Sequence, residues 1–170
     1  MAENERTRTR ERGARAMTGS ELSARRINEF VDRQLHGQIV IKKSDRETQS
    51  TRQGFMRYYL DPQQHATTPL HDWRVWTNDI RKHSGKHRHQ GGLIIYVIEG
   101  KGYSIVDDER VEWETGDLLL LPIRPKGVTH QHFNHEPGKP CLWMAFMNWP
   151  IMEHVGTEMT QLENQPDYKD

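Results

Sequence analysis

Ten histidines occur in 170 residues, yet seven fall between His71 and His135, and four form two pairs of identical spacing, His87-Arg88-His89 and His130-Gln131-His132. Two residues apart on a β-strand, both side chains of a pair leave from the same face, and in a barrel that face can be the interior. Each pair then delivers two imidazoles to one pocket, and hairpins between the pairs can bring three or four together. Imidazole nitrogen suits Fe, Zn, Cu or Ni, and a site with three protein ligands keeps positions open for substrate and water. A single His-x-His is as often a polar strand face as a ligand pair. The second pair, with turn signals between the two, shifts the balance to a divalent metal site.

The segments around the histidines read as strands. Phe55–Leu60, Trp73–Ile80, Leu93–Glu99, Gly102–Asp107, Glu109–Trp113, Asp117–Leu121, His130–Asn134 and Leu142–Asn148 are short β-rich runs, and such density argues a closed or sandwiched antiparallel domain over 54–156. Glu99-Gly100-Lys101-Gly102, Val106-Asp107-Asp108-Glu109 and Glu114-Thr115-Gly116-Asp117 supply the Gly and Asp of tight connections. Upstream, Thr18 and Glu21 have capping-box spacing, and Leu22, Ile27, Phe30, Val31 and Leu35 recur at near-helical intervals, so an amphipathic helix ending near Gly37 is expected. A short strand at Gln38–Lys42 and a loop at Ser44–Gln53 complete a connecting segment over 18–53. Residues 1–17 carry five Arg among Thr and Glu with little to bury, which predicts a disordered tail. Thr157–Asp170 reads as a loose C-terminal tail.

Composition sets the class. The length accommodates one domain with tails, and 24 Lys plus Arg balance 24 Asp plus Glu. Zero net charge gives no pull toward nucleic acid or an anionic membrane, so a small molecule is the expected partner. The one cysteine, Cys141, excludes an internal disulfide and points to a reducing compartment. With neither a signal-peptide core nor a run of roughly 20 apolar residues, a soluble cytoplasmic protein is expected. Strand edges and the apolar helix stripe call for cover, for which a homodimer is the common solution.

Taken in order, Gly85-Lys86-His87-Arg88-His89, Glu99-Gly100-Lys101-Gly102, Gly116-Asp117 and Pro125-Lys126-Gly127-Val128-Thr129-His130-Gln131-His132-Phe133-Asn134 resemble the two motifs of the cupins. The last follows the family spacing Pro-x-Gly-x-x-His-x-x-x-Asn. The resemblance covers about Lys82 to Trp149 and implies an all-β double-stranded β-helix, or jelly-roll, barrel behind the N-terminal helix. Two departures stand out. Gly91, Gly92, Leu93 and Ile94 occupy the region where the family places a Glu ligand, which leaves His87, His89 and His130 as the implied metal ligands. The stretch between Gly116 and Pro125 is also longer than usual. Within the cupins the sequence is similar to the ring-cleaving dioxygenases of the gentisate and hydroxynaphthoate group, which likewise lack the Glu and bind Fe(II) through three His.

The resemblance implies an Fe(II) dioxygenase for a small hydroxylated aromatic or related carboxylic acid, with Mn, Zn, Ni and Cu as other metals the site could accept. A substrate carboxylate wants a cation, and Arg57, Arg74 and Arg81 lie on or beside predicted strands; Arg57 and Arg74 are the first candidates. His132 shares the parity of His130 and could serve as acid or base, or orient a ligand. Trp76, Tyr96, Tyr103 and Phe133 are candidates for an aromatic pocket wall. Two other readings stay open: a metal-dependent lyase, isomerase or decarboxylase, and a non-catalytic module that binds a small molecule in the barrel.

Overall fold

The computed structural model describes residues 16–65 and 67–169. Two antiparallel sheets face each other. The first has six strands in the order β1-β2-β3-β10-β5-β8, and the second five in the order β11-β4-β9-β6-β7. Their ranges are β1 Gln49–Ser50, β2 Phe55–Leu60, β3 Trp73–Asp79, β4 Lys86–His89, β5 Leu93–Glu99, β6 Lys101–Val106, β7 Glu109–Glu114, β8 Leu118–Leu121, β9 Val128–Asn134, β10 Leu142–Asn148 and β11 Thr160–Glu163. Among the described residues two helices flank them, α1 Gly19–His36 and α2 Trp149–His154. This is the expected all-β jelly roll with an N-terminal helix.

The core lies between the sheets because alternate residues of each strand point there. Met56, Trp76, Leu93, Ile95, Val97, Trp143, Ala145 and Met147 come from the six-stranded sheet, and Val128 and Trp113 from the other. The resulting apolar floor surrounds the histidine pairs and strips them of water.

Local sequence explains the termini of several elements. Thr18 caps α1: its side-chain oxygen accepts from the Glu21 N–H, and the Glu21 carboxylate accepts from the Thr18 N–H at 2.7 Å. Asn148 caps α2, with Pro150 in the first turn where a missing N–H costs nothing. Gly127 has φ +83, and a Cβ there would lie 2.9 Å from the Arg88 Cγ, so the turn into β9 needs glycine.

Three expectations change. Gln38–Lys42 forms no strand, since the segment finds no ladder partner. At the start of the expected Ser44–Gln53 loop a 3-10 turn spans Lys43–Asp45, and within it Gln49–Ser50 pairs with β2. Thr160–Glu163, placed in a loose tail, pairs antiparallel with β4 and so covers an edge that would otherwise present unpaired backbone groups; beyond it Gln165 is 4% exposed. The proposed disordered tail falls mainly in residues 1–15, outside the described residues. No described helix is long and apolar enough to cross a membrane.

Candidate metal centre

The strand β4 supplies His87 and His89, and β9 supplies His130 and His132. Antiparallel register sets His87 directly opposite His130. Ring centroids of His87 and His130 lie 4.2 Å apart, those of His89 and His130 4.9 Å, and those of His87 and His89 5.6 Å. One ring nitrogen from each of the three falls within 4.8 Å of the others, close enough for a single ion. Arg88, between the pair, points outward and is exposed.

Burial keeps these rings neutral, which metal ligation requires. Loss of solvent lowers His87 and His89 from the usual 6.5 to about 4 and His130 well below 6.5, with mutual repulsion adding to the effect for His89 and His130. His87 Nδ1 donates to the Gly85 carbonyl and His130 Nδ1 to the Val128 carbonyl, both at 3.2 Å. Each bond fixes the tautomer and leaves the Nε2 lone pair for a metal. His89 differs: the Gly91 N–H donates to its Nδ1 at 3.0 Å. Were His89 to hold a metal through Nε2, its ring proton would sit on Nδ1 and that contact would be given up. With that adjustment the donor set fits a divalent ion of Fe, Zn, Ni or Cu type.

No carboxylate joins the cluster among the described residues. Gly91 and Gly92, standing in the Glu region, have φ +87 and +75, and a Cβ on Gly91 would sit 1.9 Å from the Pro122 carbonyl oxygen. The tight loop thus has no room for an acidic side chain at Gly91. The long 116–125 connection folds as β8 followed by a turn in which Arg124 donates its backbone N–H to Gln90 and pairs its side chain with Asp107.

His132 lies beside the cluster, its ring 5.4 Å from that of His130, and is fully enclosed. Ser104, its cross-strand partner on β6, holds it: the Ser104 Oγ lies 2.7 Å from His132 Nδ1 and accepts from the Trp113 Nε1–H at 2.9 Å. Indole nitrogen can only donate, and among the described residues the serine hydroxyl has no other hydrogen-bond partner. The serine proton therefore goes to His132 Nδ1, and His132 carries its own proton on Nε2. Desolvation, reinforced by His87 and His89, lowers its pKa to about 3. Replacing Ser104 with Ala strands two buried polar groups and should lower unfolding free energy by about 2 kcal/mol. Urea denaturation at pH 7 measures this; a loss below about 0.5 kcal/mol would contradict the bond network.

The four imidazoles border a cavity of about 960 Å³ that also touches Tyr58, Arg74, Trp76, Trp143 and Trp149. Arg74 leans on the Trp149 ring, 4.4 Å from its centroid, and pairs with the buried Asp61 at 3.0 Å. The indole N–H groups of Trp76 and Trp143 are buried without a hydrogen-bond partner among the described residues. The structure brings together His87, His89, His130, His132, Arg74 and Trp76.

The other candidates face elsewhere. Met56 and Tyr58 line the cavity, so Arg57 between them points to the opposite face, where it donates to the Thr48 Oγ at 2.7 Å. Tyr96 is exposed with Ile94 on the outer face of β5. Tyr103 and Phe133 stack on each other, centroids 4.6 Å apart, under the Arg110 guanidinium on the outside of the second sheet. Arg81 lies over Phe55 and pairs with Asp79, away from the site. Sequence reasoning passed over Trp143 and Trp149, which line the cavity, and the exposed Arg52 at its edge.

Comparison with known proteins agrees with this arrangement. Residues 76–147 match the cupin domain model. A gentisate 1,2-dioxygenase of Ralstonia sp is 31% identical over 70 residues, which cover 41% of this chain and 19% of that protein. One from Streptomyces sp is 32% identical over 76 residues, covering 44% and 20%. The chain thus aligns with about a fifth of the length of these curated relatives. Among solved structures, a cupin-like protein from Thermotoga maritima superposes with TM-score 0.53 at 17% identity, covering 71% of this chain and 87% of the other. A salicylate 1,2-dioxygenase from Pseudoaminobacter salicylatoxidans, in adducts with gentisate, gives 0.52 at 20% identity, covering 78% and 35%. The paired motifs, the two facing sheets and the matched segment together show a cupin domain over residues 76–147, in a chain that resembles the gentisate dioxygenase group.

Proposed function

We propose that the chain is a metal-dependent oxygenase, an Fe(II) dioxygenase acting on a small hydroxylated aromatic or related carboxylic acid. One observation carries this reading: three neutral imidazoles, joined by no carboxylate ligand among the described residues, converge in a cavity that also holds a half-buried arginine and an indole wall. A ferrous ion in such a site supplies open coordination positions for a chelating hydroxy acid and for dioxygen.

The chain's own groups then divide the work. Arg74, stiffened by Asp61 and Trp149, offers a planar fork to the substrate carboxylate. Trp76 and Trp143 give the aromatic ring apolar surface, and their unpartnered N–H groups gain acceptors when a polar ligand arrives. His132, protonated on Nε2, acts as a hydrogen-bond donor to a substrate oxygen and not as the initial base. Ile95, Leu93 and Met147 keep bulk water from the pocket.

The experiment is an oxygen-electrode assay of protein loaded anaerobically with Fe(II) and given gentisate and related hydroxylated aromatic acids. Oxygen uptake that depends on both metal and acid is expected. No uptake across the panel by metal-loaded protein overturns the reading, and turnover without oxygen or with Zn(II) favours a lyase, isomerase or decarboxylase.

Arg74→Lys keeps the charge beside Asp61 but loses the planar fork. We expect KM for the acid to rise about tenfold, worth about 1.4 kcal/mol, with metal content unchanged. Steady-state kinetics paired with elemental analysis checks this; an unaltered KM would remove Arg74 from the substrate site.

A further inference from the structure

We infer that Glu153 is a positioning residue for the acid-binding arginine and acts through the ring of Trp149; this rests on the reading of Arg74 as the group that receives a substrate carboxylate. A long arginine side chain does not aim itself. The far end of Arg74 is tied down where Nη2 meets the buried Asp61 carboxylate at 3.0 Å and reaches the Gln63 Oε1 at 3.5 Å. Its Nε is buried without a hydrogen-bond partner among the described residues. What sets the direction of the guanidinium between these points is the aromatic surface it lies over. Trp149 is the nearer ring, its centroid 4.4 Å from the Arg74 Cζ, against 5.9 Å for Tyr58.

Trp149 is in turn held at two points, one at each end of its side chain. Its backbone N–H donates to the Asp72 carbonyl at 2.8 Å, which ties it to the start of β3, two residues before Arg74. Its indole Nε1–H donates to the Glu153 Oε1 at 2.8 Å. Residues 149 and 153 are four apart on α2 and so share one face of the helix, and the ionised acceptor makes the bond a charge-assisted one. Met152, between them, is 3% exposed and packed in the core, so α2 is a fixed base for the bond.

The indole has a single polar atom. Once Glu153 is gone, no hydrogen bond among the described residues fixes the angle of the half-buried Trp149 ring, and the surface under Arg74 turns with it. Glu153 itself is exposed on the cavity rim and forms no ion pair among the described residues. Its contribution is therefore to the direction of the arginine fork, which a carboxylate ligand reads and a ligand without a carboxylate does not.

The test is calorimetric binding of salicylate and of catechol to the full chain loaded with Zn(II). Both present an aromatic ring with a hydroxyl to the metal, and only salicylate brings a carboxylate. Wild type should prefer salicylate. Glu153→Ala should lower the ratio of salicylate to catechol affinity about fivefold, the size of one cation–π contact at a half-buried site. Glu153→Gln, which keeps an acceptor for the indole, should restore the ratio to within about twofold of wild type. Trp149→Phe removes the N–H that Glu153 holds, so adding Glu153→Ala to it should change the ratio no further. An unchanged ratio in Glu153→Ala overturns the inference, as does a loss that Glu153→Gln fails to restore or one that adds in full to Trp149→Phe. Wild type that binds salicylate no better than catechol overturns the reading of Arg74 and this inference with it. No turnover is needed, so failure of the oxygenase chemistry is read separately.

Discussion

Replacing His89 with Ala should strip the barrel of its metal while leaving it folded. Metal held by protein side chains releases ~10–16 kcal/mol spread over a few ligands, so one lost imidazole costs affinity on the order of 1,000-fold. The effect is large because nothing nearby can substitute. The cluster contains no carboxylate among the described residues, and the Nδ1 of His132 is committed to Ser104. Titration with Zn(II) or Fe(II), with circular dichroism to verify the fold, measures the loss. His83→Ala is the control, since His83 lies against Phe133, the rings tilted at 41°, and outside the cluster. Equal metal affinity in wild type and His89→Ala would contradict the assignment.

The second large effect is acid instability of the metal-free protein. Folded His87 and His89 take up protons only near pH 4, and His132 near pH 3, whereas the same side chains in the unfolded chain protonate near pH 6.5. Between those values the unfolded state binds more protons, so stability falls as pH falls from about 6.5 to about 4. A shift of this size is worth about 3 kcal/mol per ring, and a small domain has roughly 5–15 kcal/mol in total. The metal-free barrel should therefore unfold before pH 4. Urea midpoints at a series of pH values test this, with a metal-loaded sample shifted to lower pH because bound metal holds the rings neutral. A midpoint that stays flat from pH 7 to 4.5 would show that the rings are not enclosed as described.

Much of this site was legible in the sequence because strand parity is local. The spacing of His87 with His89, and of His130 with His132, decides that each pair shares a face, whatever the strand later pairs with. The opposition of His87 and His130 was not legible from spacing, because it depends on register between strands whose paired residues are 43 apart in the chain. Arg57 and Arg74 show the same limit from another side. Both sit on strands whose two faces carry aromatic and aliphatic residues, since the outer face of the six-stranded sheet is itself apolar. Alternation of polar and apolar residues, which ordinarily separates inside from outside, is therefore blurred there. Tyr96 was misplaced for the same reason.

The missed elements were short. Thr160–Glu163 has little strand character of its own and is held by the exposed edge of β4. The helix α2 did leave a signal, Asn148 followed by Pro150, which is the pattern of a capped helix start. Its residue Trp149 closes over Arg74, so overlooking a six-residue helix also meant overlooking part of the cavity wall.

X-ray absorption fine structure of the protein loaded with one equivalent of Fe(II) or Zn(II) tests the central claim most directly. The structure predicts three imidazole nitrogens at about 2.0–2.2 Å, completed by water and by no protein carboxylate, with one imidazole lost in His89→Ala. A shell containing two or fewer imidazoles, or a carboxylate from the protein, would contradict the three-histidine centre on which the oxygenase reading stands.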